Sequence, residues 1–264
     1  MNVGRVWRVV ARLAAIVVFL ASPALAQSDT SDRWRVIVSP YAWAASLDGD
    51  LTLAGLHTNV DVPFSEIFDH LDFVAMGEVE VAKGRWGVIV DGQHVKTSQD
   101  EKVLANRVDL GIETTNVDVA AYYRVYEREL GGATRMGGPR HFAIEPYAGA
   151  RWTRLTADVS ALGLQTRKTS EWTDIIVGAR SDYDLTDRWN LSGAVDLGSN
   201  GQNGSSINAR AMIGYGGRFL GRPTQWKAGY RLLWQKHRAD DFTGGVFRWD
   251  VTRQGPVAGF SMHF

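Results

Sequence analysis

Apolar and polar residues alternate along this chain, segment after segment. Past residue 26 no stretch is apolar for the 18 or more residues that a membrane helix requires. Alternation at period two marks a strand whose two faces meet different surroundings. In the last segment, Ala258, Phe260, Met262 and Phe264 share one parity, and Gly259, Ser261 and His263 share the other.

The same pattern recurs in nine earlier segments. Trp34, Val36, Val38 and Ala42 oppose Arg35, Ser39 and Tyr41. Phe73, Ala75, Gly77, Val79 and Val81 oppose Met76, Glu78 and Glu80. Trp86, Val88 and Val90 oppose Ile89, Asp91 and Gln93. Val117, Val119, Ala121 and Tyr123 oppose Asn116, Asp118, Tyr122 and Arg124. Phe142, Ile144, Ala148, Ala150 and Trp152 oppose Glu145, Tyr147, Arg151 and Thr153. Ile175, Val177, Ala179 and Tyr183 oppose Asp174, Gly178, Arg180 and Asp182. Trp189, Leu191, Val195 and Leu197 oppose Asn190, Ser192 and Asp196. Ala209, Ala211, Ile213, Tyr215 and Phe219 oppose Asn208, Arg210, Gly214 and Arg218. Trp226, Ala228, Tyr230, Leu232 and Trp234 oppose Lys227, Arg231 and Gln235.

One face therefore carries charges in mid-strand, and the other carries aromatics at its ends. A soluble barrel puts its apolar face inside. The aromatic ends argue for the reverse. Trp34, Trp86, Phe142, Trp189 and Trp226 begin the upward strands, and Tyr123, Tyr183, Phe219 and Phe264 end the downward ones. Rings gathered at one level mark a membrane interface. Phe73, Trp152 and Trp234 are candidates for the opposite interface. The expected fold is all-β, an antiparallel up-and-down transmembrane barrel of ten strands. An even count returns both termini to one side.

The beginning of the chain agrees. Arg5, Arg8 and Arg12 precede the apolar run Leu13 to Leu20, and Ala24-Leu25-Ala26 fits a small-x-small cleavage rule. Residues 1–26 read as a cleaved signal peptide, and 27–264 as a single barrel domain. Removing three arginines and no acid takes the formal charge from 0 to −3, with no basic patch for nucleic acid. The chain has no cysteine, which excludes a lipid anchor on Cys, disulfides and a thiol nucleophile.

Short connections at Lys83 to Arg85, Leu185 to Arg188 and Leu220 to Pro223 belong on the periplasmic side; Tyr126 to His141 is a longer exception. Longer connections should face outside: Ser46 to Leu71, Gln99 to Asn106, Thr156 to Glu171, Ser199 to Ser206 and Arg238 to Gly245. In the first, Asp50 to Leu53 and Leu56 to Val62 read as a small hairpin around Ala54-Gly55. Pro63 to Leu71 reads as a short helix, whose face of Ile67, Phe68 and Leu71 is expected to be buried as a cap on the rim or mouth. The apolar parity changes between Ile112 and Val117. That change requires a β-bulge or a strand that leaves the membrane there.

The final strand and its terminal aromatic resemble the end of a Gram-negative outer-membrane barrel, where Phe260 and Phe264 would act as the assembly signal. Ser39 to Trp43, Asp61 to Phe73 and Lys83 to Gly87 together resemble a family of proteobacterial outer-membrane barrel proteins, largely of unassigned function. The general architecture resembles small OmpA-type barrels. The likeness is most distinctive in the first 60 or so residues of the mature chain. It implies the cell outer membrane, outer-membrane lipid and lipopolysaccharide as surroundings, and the barrel-assembly machinery as partner. It implies no substrate and no catalytic residue.

By parity the lumen holds Glu78, Glu80, Asp91, Asp118, Glu145, Asp174, Asp182 and Asp196 against Arg35, Arg124, Arg151, Arg180, Arg210, Arg218, Lys227 and Arg231. An ion-selective pore would show rings of one sign. Balance points instead to arginine–carboxylate links across the wall. The expected role is structural or surface-interacting, with a largely plugged lumen in a monomer. A narrow porin-like channel for small polar solutes is the alternative. No enzyme activity, cofactor or metal is expected. His94 with Ser98, and Asp69-His70 with Asp240-Asp241, are no more than chance pairs, and the histidines show no ligand spacing.

Overall fold

A computed structural model describes residues 33–53, 56–103, 106–161, 164–240 and 246–264. The expected signal peptide lies outside the described residues, as do Ala54-Gly55 and Asp241 to Gly245. Among the described residues the chain forms thirteen strands. Ten of them make a closed antiparallel barrel: β1 (Trp34–Trp43), β4 (Leu71–Lys83), β5 (Trp86–Val103), β6 (Asn106–Tyr123), β8 (Pro139–Ala161), β9 (Leu164–Asp184), β10 (Trp189–Ser199), β11 (Gly204–Phe219), β12 (Arg222–Asp240) and β13 (Val246–His263). β13 closes the ring on β1.

The wall is inside-out. In β10, Leu191, Val195 and Leu197 point outward and are 45%, 50% and 62% exposed, while inward Asn190 and Asp196 are 2% and 1% exposed. Outward Ile175 and Val177 are more than 60% exposed. At about 25 cal/mol per Å², such a band is tolerable only against hydrocarbon. The aromatic ring at the lower end, where the short turns lie, is built of cross-strand pairs. Trp86 meets Tyr123 at 4.7 Å, Phe142 meets Tyr183 at 5.7 Å, and Trp226 meets Phe260 at 5.3 Å. Tyr215, 5.0 Å from Trp189, belongs to the same ring.

The turns are tight where sequence permits. Leu220 and Gly221 both adopt positive φ, 50° and 77°, between Phe219 and Arg222. Two left-handed residues in succession are what a two-residue hairpin following the strand twist demands. Inside, two tyrosines fold over glycines on the neighbouring strand. Tyr122 lies over its register partner Gly87, and Tyr147 over Gly178, each occupying the space a Cβ would take.

At the upper end the strands run much further than expected. β8 has 23 residues and β9 has 21, where 9 to 11 suffice to cross hydrocarbon. Most of what the sequence presents as outer loops is therefore extended β-ribbon. The parity change in β6 has the same cause. Its register against β5 and β8 runs without a shift, so no bulge intervenes. The strand simply outruns the apolar band, above which an outward apolar face is no longer favoured. The register shift found in this region lies in β4, between Leu71 and Phe73.

The first outer segment forms a hairpin, β2 (Ser46–Leu53) and β3 (Leu56–Val62). β2 takes up the pairing with β13 where β1 stops, from Gln254 to Arg248. The β1–β4 ladder ends at Pro40 and Gly77, and no pair with β13 forms at Ser39 or Pro40; proline has no N–H to donate. Above this point β3 pairs with β2 and β4 with β5, leaving an edge on each. At the lower end, β7 (Tyr126–Ala133) pairs with the foot of β8. The tip of that hairpin reaches the next turn. Arg135 Nε donates to Asp187 Oδ2 at 2.9 Å, and Met136 lies against Gly216.

Candidate functional site: a cross-linked lumen

The inward faces meet in layers. At the lower end a cavity of about 740 Å³ is lined by Arg35, Glu78, Glu80, Lys227 and His263 among others. Arg180 forms its roof. Its Nη1 donates to Glu80 at 2.8 Å, its Nε donates to Glu145 at 2.5 Å, and its guanidinium stacks 4.0 Å from the Tyr122 ring. Tyr122 donates to Glu80 at 2.6 Å, and Arg124 to Glu145 at 2.8 Å. Arg35 stands 3.6 Å from Glu80, and Arg210 donates to Glu78 at 2.7 Å.

Above this comes the tightest layer. Arg151 grips Asp118 with two N–H groups, at 3.0 and 2.9 Å, and stands 3.0 Å from Asp196. Tyr147 and Asn208 donate to the same Asp196 at 2.9 and 2.7 Å. Arg231 donates to Asp91 at 2.8 Å and to Asn208 at 3.1 Å, while Tyr41 donates to Asp91 at 2.5 Å. Arg151 and Asp174 are 0% exposed, and Arg231 3%. The residual void among Asp91, Asp118, Asp196 and Asn208 is about 40 Å³, room for very few waters.

Above this layer the carboxylates give way to amides around one more guanidinium, that of Arg253, and then to apolar groups. Trp43 lies between two guanidinium groups, 5.1 Å from Arg231 and 5.6 Å from Arg253. Arg253 donates to Asn116 and Gln235 at 2.9 and 3.0 Å. At the upper mouth Leu155, Trp172, Phe247, Trp249 and Val251 form a buried cluster, against which Leu47 and Leu51 of β2 pack. Trp172 stacks on His237 at 4.5 Å.

Of the sixteen charged positions named from parity, most fall into this array. Arg218 does not. It is exposed at the lower rim, where it donates to the carbonyl of Gly221. Lys227 lines the cavity but has no salt bridge within 4.0 Å among the described residues. Asp174 faces Arg151 across the β8–β9 register without a direct ion pair. Asp182 lies lower, beside His141 and Asn190. Arg253, Trp43 and Tyr41 were not named as network members. Yet they continue the parity of Ser261 on β13 and of Arg35 and Ser39 on β1.

The expected cap is corrected by the structure. The helix α1 (Phe64–Asp69) buries none of its residues, and Phe68 is 61% exposed, touching Phe64 at 5.8 Å. Ile67 and Leu71 are half-buried at most. What covers the mouth is β2 together with the upper strand ends. Phe68→Ser should therefore shift stability by no more than about 0.5 kcal/mol in urea unfolding of the vesicle-inserted protein; a larger loss would show that the helix packs in the membrane. His94 and Ser98 do not pair. His94 contacts Thr115 at 2.8 Å and Ser98 donates to Asp72 at 2.8 Å. The side chains of Asp240 and Asp241 lie outside the described residues.

The closed ten-stranded antiparallel wall, its outward apolar band and its aromatic ring define an outer-membrane β-barrel protein. The lower end, with its short turns, is accordingly the periplasmic one. No protein-family model matches the chain, and no curated protein does. Among solved structures it is similar to Ail, the attachment invasion locus protein of Yersinia pestis, at 11% identity over 88% of this chain and 99% of that one, with a TM-score of 0.36. It is similar also to the outer membrane protein OprG from Pseudomonas aeruginosa, at 14% identity over 89% and 97%, with a TM-score of 0.35. A Pseudomonas aeruginosa FadL homologue follows at 12% identity over 88% and 90%, with a TM-score of 0.30.

Proposed function

We propose that the protein is a sealed outer-membrane barrel whose role is structural or at the cell surface, and that it does not conduct. It is exported by a leader cleaved after Ala26, inserted by the barrel-assembly machinery, and held as a monomer among outer-membrane lipid and lipopolysaccharide. One observation carries the reading. Arg151, in mid-lumen, is fully buried between Asp118 and Asp196. An ion crossing there would have to break charge-assisted bonds in a space almost without water. The apolar cluster above forms a second barrier of different chemistry, since a narrow apolar constriction sheds water.

The test is electrical. The refolded mature protein, added to planar lipid bilayers, should give no stable single-channel steps over hours of recording. Reproducible, ion-selective steps from the unmutated protein would establish the narrow-channel alternative in its place.

A further inference from the structure

The periplasmic rim holds four polar groups that the sealed lumen does not use. His141 stands at the foot of β8, Asp182 and Asp184 at the lower end of β9, and Asn190 at the start of β10. All four face inward and line the lower cavity. His141 Nδ1 is 3.0 Å from Asp184 Oδ2, and its Nε2 is 3.7 Å from Asp182 Oδ1. One donor atom from each of the three lies within 4.8 Å of the others.

Asn190 supplies an independent observation. It is 2% exposed, and its carboxamide is aimed into this cluster: Nδ2 donates to Asp182 Oδ1 at 2.8 Å and to Asp184 Oδ1 at 3.0 Å. Its carbonyl oxygen is buried and has no partner among the described residues. Turning the amide over would bring that oxygen against both carboxylates. Such a contact is repulsive when the cluster is empty and favourable when a cation sits between them.

We propose that His141, Asp182, Asp184 and Asn190 bind one divalent transition-metal ion at the periplasmic rim. The donor set is one imidazole nitrogen and up to three oxygens, without sulfur. Such a set suits zinc or manganese. Metal–ligand bonds near 2.0–2.2 Å would require the donors to close inward, which side-chain rotation alone can supply. Arg140 leaves the carboxylates free, donating to the main-chain carbonyls of Asp184 and Leu185. Lys227, by contrast, acts on Asp182 across the cavity, and the His141 main-chain N–H donates to Asp184 Oδ2 at 3.0 Å. A bound ion has to displace or share these contacts.

The position gives the ion a structural task. His141 belongs to the β7–β8 hairpin, and the two aspartates lead into the β9–β10 turn. A bound ion would clamp the hairpin to that turn next to the Arg135–Asp187 contact, holding the hairpin tip beside the cavity mouth.

The experiment is calorimetric titration of zinc chloride into refolded, chelator-treated protein in detergent, with manganese as a second probe. One equivalent binding with a micromolar Kd is expected. His141→Ala and Asp184→Asn should each weaken it at least tenfold. Asn190→Asp, which sets a third carboxylate against Asp182 and Asp184, should tighten it. Folding of each variant is checked by its heat-dependent gel mobility; if His141→Ala does not assemble, His141→Gln takes its place with the same expectation. Binding no tighter than millimolar would overturn the proposal, leaving His141 as a mere bridge between two carboxylates. Micromolar binding insensitive to all of these substitutions would overturn it too.

Discussion

Replacing Arg151 by alanine is expected to cost about 3–5 kcal/mol of stability, the usual penalty for breaking a buried ion pair by removing one partner. The reason lies in what remains. Asp118 loses a two-pronged donor, Asp196 loses the one guanidinium that pairs with it among the described residues, and both carboxylates are left largely buried in the lumen. Asp174, opposite Arg151 in the register, is fully buried as well. Arg210→Ala should cost distinctly less, because among the described residues Arg210 has a salt bridge to Glu78 alone and its side chain retains 26% exposure beside the lower cavity. Urea unfolding in vesicles, followed by tryptophan fluorescence, ranks the two. Equal stabilities for Arg151→Ala and the parent would mean that the layer is not the strut described here. On the sealed-barrel proposal, conductance should rise little in either variant, because the buried cluster of Leu155, Trp172, Phe247, Trp249 and Val251 still stands at the outer mouth. On that proposal, arginine–carboxylate network and apolar cluster act as separate barriers, so opening one exposes the other.

That division also explains what could be read in the sequence. Within the hydrocarbon the rule is strict alternation, outward apolar and inward charged. Strand identity, the lower aromatic ring and most of the charged lumen follow from it directly. Arg151, Arg180 and Arg231 were placed by parity alone. Above the hydrocarbon the environments exchange: the outer side meets water and the inner side is dry. Trp172, Leu155 and Trp249 keep the inward parity of their strands, but there an inward apolar residue has the pattern of a soluble sheet. The outer hairpins therefore resembled loops, and the buried apolar cluster that they form at the upper mouth was not anticipated. The same reasoning went astray for α1. Its apolar stripe of Ile67, Phe68 and Leu71 is genuine, but a stripe does not reveal which surface it meets. Here β2 already occupies the mouth through Leu47 and Leu51, leaving Phe68 outside. The rim cluster was invisible for a simpler reason. His141, Asp182, Asp184 and Asn190 are distributed over three strands, and no spacing rule joins positions that only the register brings together.

Removal of Phe264 should lower outer-membrane assembly by about tenfold or more, because the last residue is part of the seam. Its N–H donates to the carbonyl of Val36 at 2.9 Å, and its carbonyl accepts from the Val36 N–H at 3.3 Å. These bonds pair the end of β13 with the start of β1, where the ring closes. Each is worth about 0.5–1.5 kcal/mol in net terms. The ring adds contacts of its own, lying under the Arg222 guanidinium at 4.4 Å. Phe260, four residues up the strand on the same face, packs on Trp226 at 5.3 Å and is expected to contribute to assembly through that contact. Phe264→Ala keeps the main-chain bonds and removes the ring, so its defect should fall between deletion and parent. Export across the inner membrane should continue in every case, since the leader is untouched. Fractionation with heat-dependent gel mobility measures the assembled share. A deletion variant that assembles as well as the parent would show that the seam closes without its last residue. A folded, soluble periplasmic form of the parent chain would go further and refute membrane insertion itself.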